Sequence, residues 1–139
     1  MKEDPSFRHA GRLLCAALLL ALGAGCQQDA GPPDVEARAE ARWNHLIEGE
    51  YEQARAYYSP GFRELVSEQQ FRDNMRDRPL RWLAAEVLGS ECEEKRCTVW
   101  TEVTYRAIKA RMGQDSVEIP TTVEEPWIQV DGQWWYAQD

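Results

Sequence analysis

The sequence predicts an α+β domain in which helices come first and an antiparallel meander follows, with the helices packed on one face of the sheet. Three observations carry that expectation. Apolar residues recur at helical spacing up to Pro79, the period beyond it becomes strand-like, and Asp131-Gly132, the dipeptide best suited to a tight hairpin, separates the last two strand-like runs. Helices segregated from strands in this way pack on one side of a sheet.

Val35, Ala39, Trp43, Leu46 and Ile47 share one helical face, with Asp34 placed to cap the first turn and Gly49 to end the helix. Tyr51, Ala54 and Tyr58 mark a second short helical segment. Ser59 can cap a third that opens on Pro60, since proline is pre-organised for the first helical position. Ser67 with Gln70 forms a capping-box pattern, Val66 and Phe71 stand where a hydrophobic staple would be, and this fourth helix should end before Pro79. Beyond it, residues 81–92 and 97–108 flank the polar loop "EEKR", and residues 117–130 and 133–138 flank Asp131-Gly132. If Cys92 faces Cys97, Glu86 falls opposite Val103 and Ala84 opposite Tyr105, with Trp82, Leu88 and Val99 on the face of Glu86. Glu102 then lies on the other face with Trp100 and Arg106, as a cross-strand ion-pair partner.

The first 34 residues read differently. From Leu13 to Gly25 the chain is apolar for 13 residues, whereas a helix crossing the hydrocarbon core needs about 20. Lys2, Arg8 and Arg12 precede the run and Gly23-Ala24-Gly25 close it, the layout of a cleaved export signal. Ending on Cys26, the stretch resembles the lipobox of bacterial lipoproteins, although Gly23 stands where that pattern usually has Leu, Val or Ile. The resemblance implies a signal peptide at 1–25 and a Cys26 that is acylated and becomes the mature N-terminus. Gln27 after the cysteine resembles the outer-membrane sorting pattern, so the expected location is the cell envelope, on the outer membrane facing the periplasm. Residues 27–34, polar with a proline pair, form a tether whose eight residues reach about 25 Å.

Removing residues 1–25 leaves 114 residues with a net charge of −9, enough for one domain at 35–139. An acidic surface without a Lys/Arg cluster argues against nucleic acid as a partner and against a polybasic lipid patch. Membrane attachment would therefore come from the N-terminal acyl chains. Cys15 leaves with the signal and Cys26 is committed to lipid, so Cys92 and Cys97 are the two thiols left for a disulfide in an oxidising envelope. A redox motif usually has two intervening residues rather than four, and a zinc site would need two further ligands.

A long first helix ending in "EGEYEQARAYYSP", two further short helices and long strands closing on "DGQWWY" together resemble the nuclear transport factor 2-like superfamily. That resemblance implies a curved sheet wrapped by helices into a cone over residues 35–139. It selects no function, because members include enzymes, secretion-system subunits and binding domains. Catalytic members place a His, Asp or Tyr inside the cone. The one histidine after the signal, His45, lies about 130° from the centre of the first helix's apolar stripe and should face water. The aspartates read as caps, turns or helix exterior. Glu86 and Tyr105 are then the candidates for an acid or base, against the simpler reading of Glu86 as a rim residue or an arginine's partner. Trp43, Tyr58, Trp82, Tyr105, Trp127 and Trp135 could line a pocket, or simply form core.

No metal-ligand spacing, nucleophile elbow, phosphate-cradling loop or dinucleotide fingerprint is present, so no metal and no cofactor is expected. The reading that follows is an envelope lipoprotein with a non-catalytic domain that binds an apolar small molecule or an envelope protein. The alternatives are a small-molecule isomerase, dehydratase or hydrolase using the cone cavity, and a structural subunit of an envelope complex.

Overall fold

A computed structural model describes residues 34–107 and 117–138. The signal, Cys26, residues 27–33 of the tether and Asp115 lie outside the described residues. Four helices, α1 (Val35–Glu48), α2 (Tyr51–Arg55), α3 (Pro60–Leu65) and α4 (Glu68–Arg76), precede four strands, β1 (Leu80–Glu93), β2 (Arg96–Ala107), β3 (Glu118–Val130) and β4 (Gln133–Tyr136). The strands form one sheet in sequence order, every neighbouring pair antiparallel. The fold is α+β. Among the described residues no helix is long and apolar enough to cross a membrane.

Local signals in the sequence act where they stand. Ser59 accepts from the Phe62 N–H with Pro60 in the first turn of α3, and Ser67 and Gln70 close both halves of the capping box on α4. Gly49 ends α1 in the left-handed region (φ 77°), and the N–H groups of Gly49 and Glu50 return to the Leu46 and His45 carbonyls. Asp34 occupies the N-cap position of α1, but its side chain makes no capping bond. Asp131 (φ 51°) and Gly132 (φ 77°) form a two-residue turn with both residues left-handed, which matches the twist of the flanking strands.

The first hairpin departs from expectation in two ways. Glu93 and Arg96 pair as strand residues, so the loop is only Glu94-Lys95, with Glu94 at φ 52°. The register set by Cys92 opposite Cys97 holds as far as Gly89 opposite Trp100, then slips once between Val87 and Gly89 and again between Trp82 and Ala84. Glu86 therefore faces Glu102 rather than Val103, Ala84 faces Thr104, and Trp82 faces Tyr105. A glycine inside a strand is a usual site for such a bulge, which admits one extra residue and bends the strand. The extra residue at the first slip, Leu88, is 54% exposed.

Two apolar clusters divide the interior, and α1 spans both. Its first half packs Val35 and Ala39 with Cys97, Val99 and Trp127, near the hairpin end of the sheet. Its second half packs Trp43 and Leu46 with Ala54, Tyr58, Phe71, Met75 and Val103, edged by Trp82, Val123 and Tyr136. The α2–α3 link covers the outer edge of β4, since Ser59 donates to the Tyr136 carbonyl and the Tyr136 N–H to the Tyr57 carbonyl.

Candidate functional site

The buried stripe of α1 contains one charged residue, Arg42, one turn beyond Ala39 and two beyond Val35. Across from it, alternation along β3 turns Val123, Glu125 and Trp127 toward the same side, and Glu125 is 2% exposed, as is Arg42. A charge so placed is costly unless paired and hydrogen-bonded. Glu125 is both. The Trp43 indole N–H and the buried Thr101 hydroxyl each donate to Glu125 Oε2 at 2.9 Å, and the Arg42 guanidinium pairs with Oε1. Arg42 Nη1 also donates to the Tyr58 hydroxyl at 3.2 Å. The guanidinium carbon lies 4.1 Å from the Tyr136 ring centroid, 4.8 Å from that of Trp43 and 5.5 Å from that of Tyr58. Those three rings form an aromatic cage that could accept a cation, and the chain's own arginine fills it.

A half-open cavity of about 180 Å³ adjoins this centre, lined by Arg42, Glu125, Trp43, Tyr58, Trp82 and Tyr136, with Arg78 at it as well. Three of the six expected pocket aromatics, Trp43, Tyr58 and Trp82, are therefore at the cavity. The other three are elsewhere. Tyr105 sits opposite Trp82 in the sheet, Trp127 belongs to the second cluster, and Trp135 lies beneath the guanidiniums of Arg38 and Arg63. Glu86 is exposed and faces the exposed Glu102, because the bulge between Val87 and Gly89 shifts its partner. Glu102, expected as a cross-strand ion-pair partner, is in none of the ion pairs among the described residues, and Arg106 on its own strand pairs with Glu118 on β3.

His45 is not simply solvated. Its side chain is 28% exposed, Nδ1 lies 2.6 Å from Glu50 Oε2, and the ring packs 5.8 Å from Tyr57. Glu48 completes a group whose ligand atoms fall within 4.8 Å of one another, an arrangement the sequence spacing does not announce. The imidazole already engages Glu50, which makes a half-exposed pair at the end of α1. At the other end of that helix an open groove of about 780 Å³ runs past Cys92, Cys97, Thr98, Pro126 and Trp127. Cys92 and Cys97 stand opposite each other with Cα atoms 4.0 Å apart and sulfurs at disulfide distance.

Arg42 and Glu125 are the residues that sequence reasoning missed. Their signal was a charged residue in phase with an apolar face: arginine in the Val35, Ala39, Leu46 stripe, and glutamate between Val123 and Trp127 at strand period.

These features define an α+β domain whose interior carries an internally neutralised ion pair. No family model matches the chain, and no curated protein matches it. Solved structures share the fold. A SEC-C motif-containing protein from Rhodopseudomonas palustris matches with a TM-score of 0.57 and 20% identity over 73% of each chain. Another from Psychrobacter arcticus matches with a TM-score of 0.58 and 11% identity over 81% of this chain, which spans 63% of that one. A protein from Thiobacillus denitrificans described as a calcium/calmodulin-dependent protein kinase type II association domain matches with a TM-score of 0.54 and 8% identity, over 76% of this chain and 91% of that one.

Proposed function

We propose that the chain is an envelope lipoprotein, held on the membrane through Cys26, whose nuclear transport factor 2-like domain is a non-catalytic binding or interaction module. One observation carries the non-catalytic reading. The buried carboxylate has both oxygens engaged by Arg42, Trp43 and Thr101, and the aromatic cage is occupied by the same arginine. A general acid or base must exchange a proton with a substrate within hydrogen-bond reach, and Glu125 is committed to its own neighbours. The candidates from the sequence do not replace it, since Glu86 is on the exposed face and Tyr105 is away from the cavity. The cavity of about 180 Å³ is below the several hundred Å³ usual for small-molecule sites, and the open groove of about 780 Å³, which is within that range, is lined by neither Glu86 nor Tyr105.

The lipoprotein half of the reading rests on the run of small residues before Cys26 and the polar tether after it. Two or more acyl chains anchor stably where one gives marginal, reversible binding. Labelled fatty acid should enter the wild-type protein at Cys26, and Cys26→Ser should give an unprocessed or soluble product. Membrane fractionation unchanged by the substitution, with no label in the wild type, overturns it.

A further inference from the structure

Two N–H donors on the cavity beside the buried ion pair have nothing to donate to. Arg42 and Arg78 both line that cavity of about 180 Å³, and the Nε of each is sealed from solvent without an acceptor. The rest of the Arg42 guanidinium is committed, to the Tyr58 hydroxyl and to Glu125. Arg78 differs. It is half-buried, its guanidinium carbon lies 5.3 Å from the Trp82 ring centroid, and its side chain has no hydrogen bond and no ion pair among the described residues. The chain holds 24 acidic and 16 basic residues, so this cation is not left over for want of carboxylates.

The charges on the walls set the sign of a ligand. Arg42 and Glu125 neutralise each other. Glu124 also borders the cavity, but it is exposed, and alternation along β3 turns it to the face opposite Glu125. Arg78 is the charge that remains, and an arginine stays protonated in proteins. The other walls are aromatic or aliphatic: Trp43, Trp82, Leu46, Val123 and Tyr136. Trp43 and Trp82 meet edge to face with ring centroids 5.7 Å apart, so the indole that carries Arg78 packs on the indole beside Arg42.

We propose that this cavity binds a small carboxylic acid with an aromatic or branched body, its carboxylate held by the Arg78 guanidinium. The two oxygens of a carboxylate match one guanidinium fork through parallel N–H donors, and one unpaired fork is what Arg78 offers. A phosphate dianion would leave a charge uncompensated. The apolar body lies against Trp43, Trp82 and Leu46, and Arg42 Nε is a donor for a further oxygen on the ligand. An engineered apolar cavity of about 150 Å³ in another protein holds benzene, so about 180 Å³ takes a body of that size and not a drug-sized one. The ligand class deepens the reading of the domain as a non-catalytic binding module and rests on it.

Benzoate is the probe, titrated at constant ionic strength into the full-length protein in detergent while the Arg78 Nε–H and Trp82 indole N–H resonances are followed. Both should shift saturably. Affinity should be at least about tenfold lower for benzyl alcohol, which keeps the ring and loses the charge, and for acetate, which keeps the charge and loses the ring. Read on Trp82, Arg78→Gln should weaken benzoate binding at least about tenfold, and Arg96→Gln on the distant hairpin should leave it unchanged. Arg78 is in neither buried cluster, so the variant should fold, which an unchanged amide spectrum away from the cavity checks. No saturation by benzoate, equal affinity for either comparison ligand, or equal loss in Arg96→Gln overturns the site. Conversion of bound benzoate to a product would instead overturn the non-catalytic reading and leave the site standing, and fatty-acid labelling tests the lipid anchor separately.

Discussion

Glu125 has three groups converging on its carboxylate, and Arg42 reaches it from inside an apolar helix face. Removing one partner of a buried pair leaves the other charge uncompensated, which costs about 3–5 kcal/mol, while replacing both with apolar residues of similar volume is often close to neutral. Glu125→Ala should therefore be destabilised by about that amount in denaturant unfolding, and Arg42→Met combined with Glu125→Gln, which keeps an oxygen to accept from Trp43 and Thr101, should lose less. A single-variant loss below about 1 kcal/mol would show that the pair is solvated rather than sealed. Glu86→Gln, on the exposed face, should change stability by no more than about 0.5 kcal/mol and leave the cellular role intact. Loss of that role at an unchanged melting temperature would put the enzyme reading ahead.

At the scale of elements, short polar signals decide where helices and turns begin. Ser67→Ala removes one half of the α4 capping box and should cost about 1 kcal/mol, read as a shift in the unfolding midpoint at constant slope. Strand β3 shows a subtler device. Val130 and Gln133 flank a two-residue turn and so exchange hydrogen bonds, which turns the backbone groups of even-numbered β3 residues toward β4. Among the described residues, β4 covers β3 from Trp127 to Val130 and the Ala137 N–H donates to the Pro126 carbonyl, so Pro120 is the proline on an even position beyond that cover. Its missing N–H would have faced an open edge, where proline discourages pairing with another chain. Across the first hairpin, Cys92 and Cys97 close a ring of six residues, for which the chain-entropy model gives about 2 kcal/mol. Mass spectrometry of envelope-derived protein alkylated without reduction should find both thiols unblocked by the alkylating agent. Two alkylated cysteines would remove the disulfide.

Across the whole molecule, stability should be uneven. Strands β2 and β3 are central in the sheet and supply Val99, Thr101, Val103, Glu125 and Trp127 to the interior, whereas α3 has no buried residue and ends on Leu65 at 85% exposure. Amide exchange should be slowest in β2 and β3 and should begin in α3, because local opening follows the buried contacts a segment would lose. Exchange from β2 as fast as from α3 would contradict the two-cluster core.

The sequence by itself determined the order of the elements, the caps at Ser59 and Ser67, the stop at Gly49, the turn at Asp131-Gly132, and the opposition of Cys92 and Cys97. These depend on residues within one turn or one hairpin loop of each other, so their chemistry is readable locally. Only the tertiary structure decided the register beyond Gly89, because a bulge costs little and its position depends on how β1 bends against α1 and β2. That slip sent Glu86 to the exposed face and emptied the expected site. It likewise decided the partnership of Arg42 and Glu125. Each is visible as a charge in phase with apolar neighbours, but that they meet, 83 positions apart, follows from the packing of α1 on the sheet.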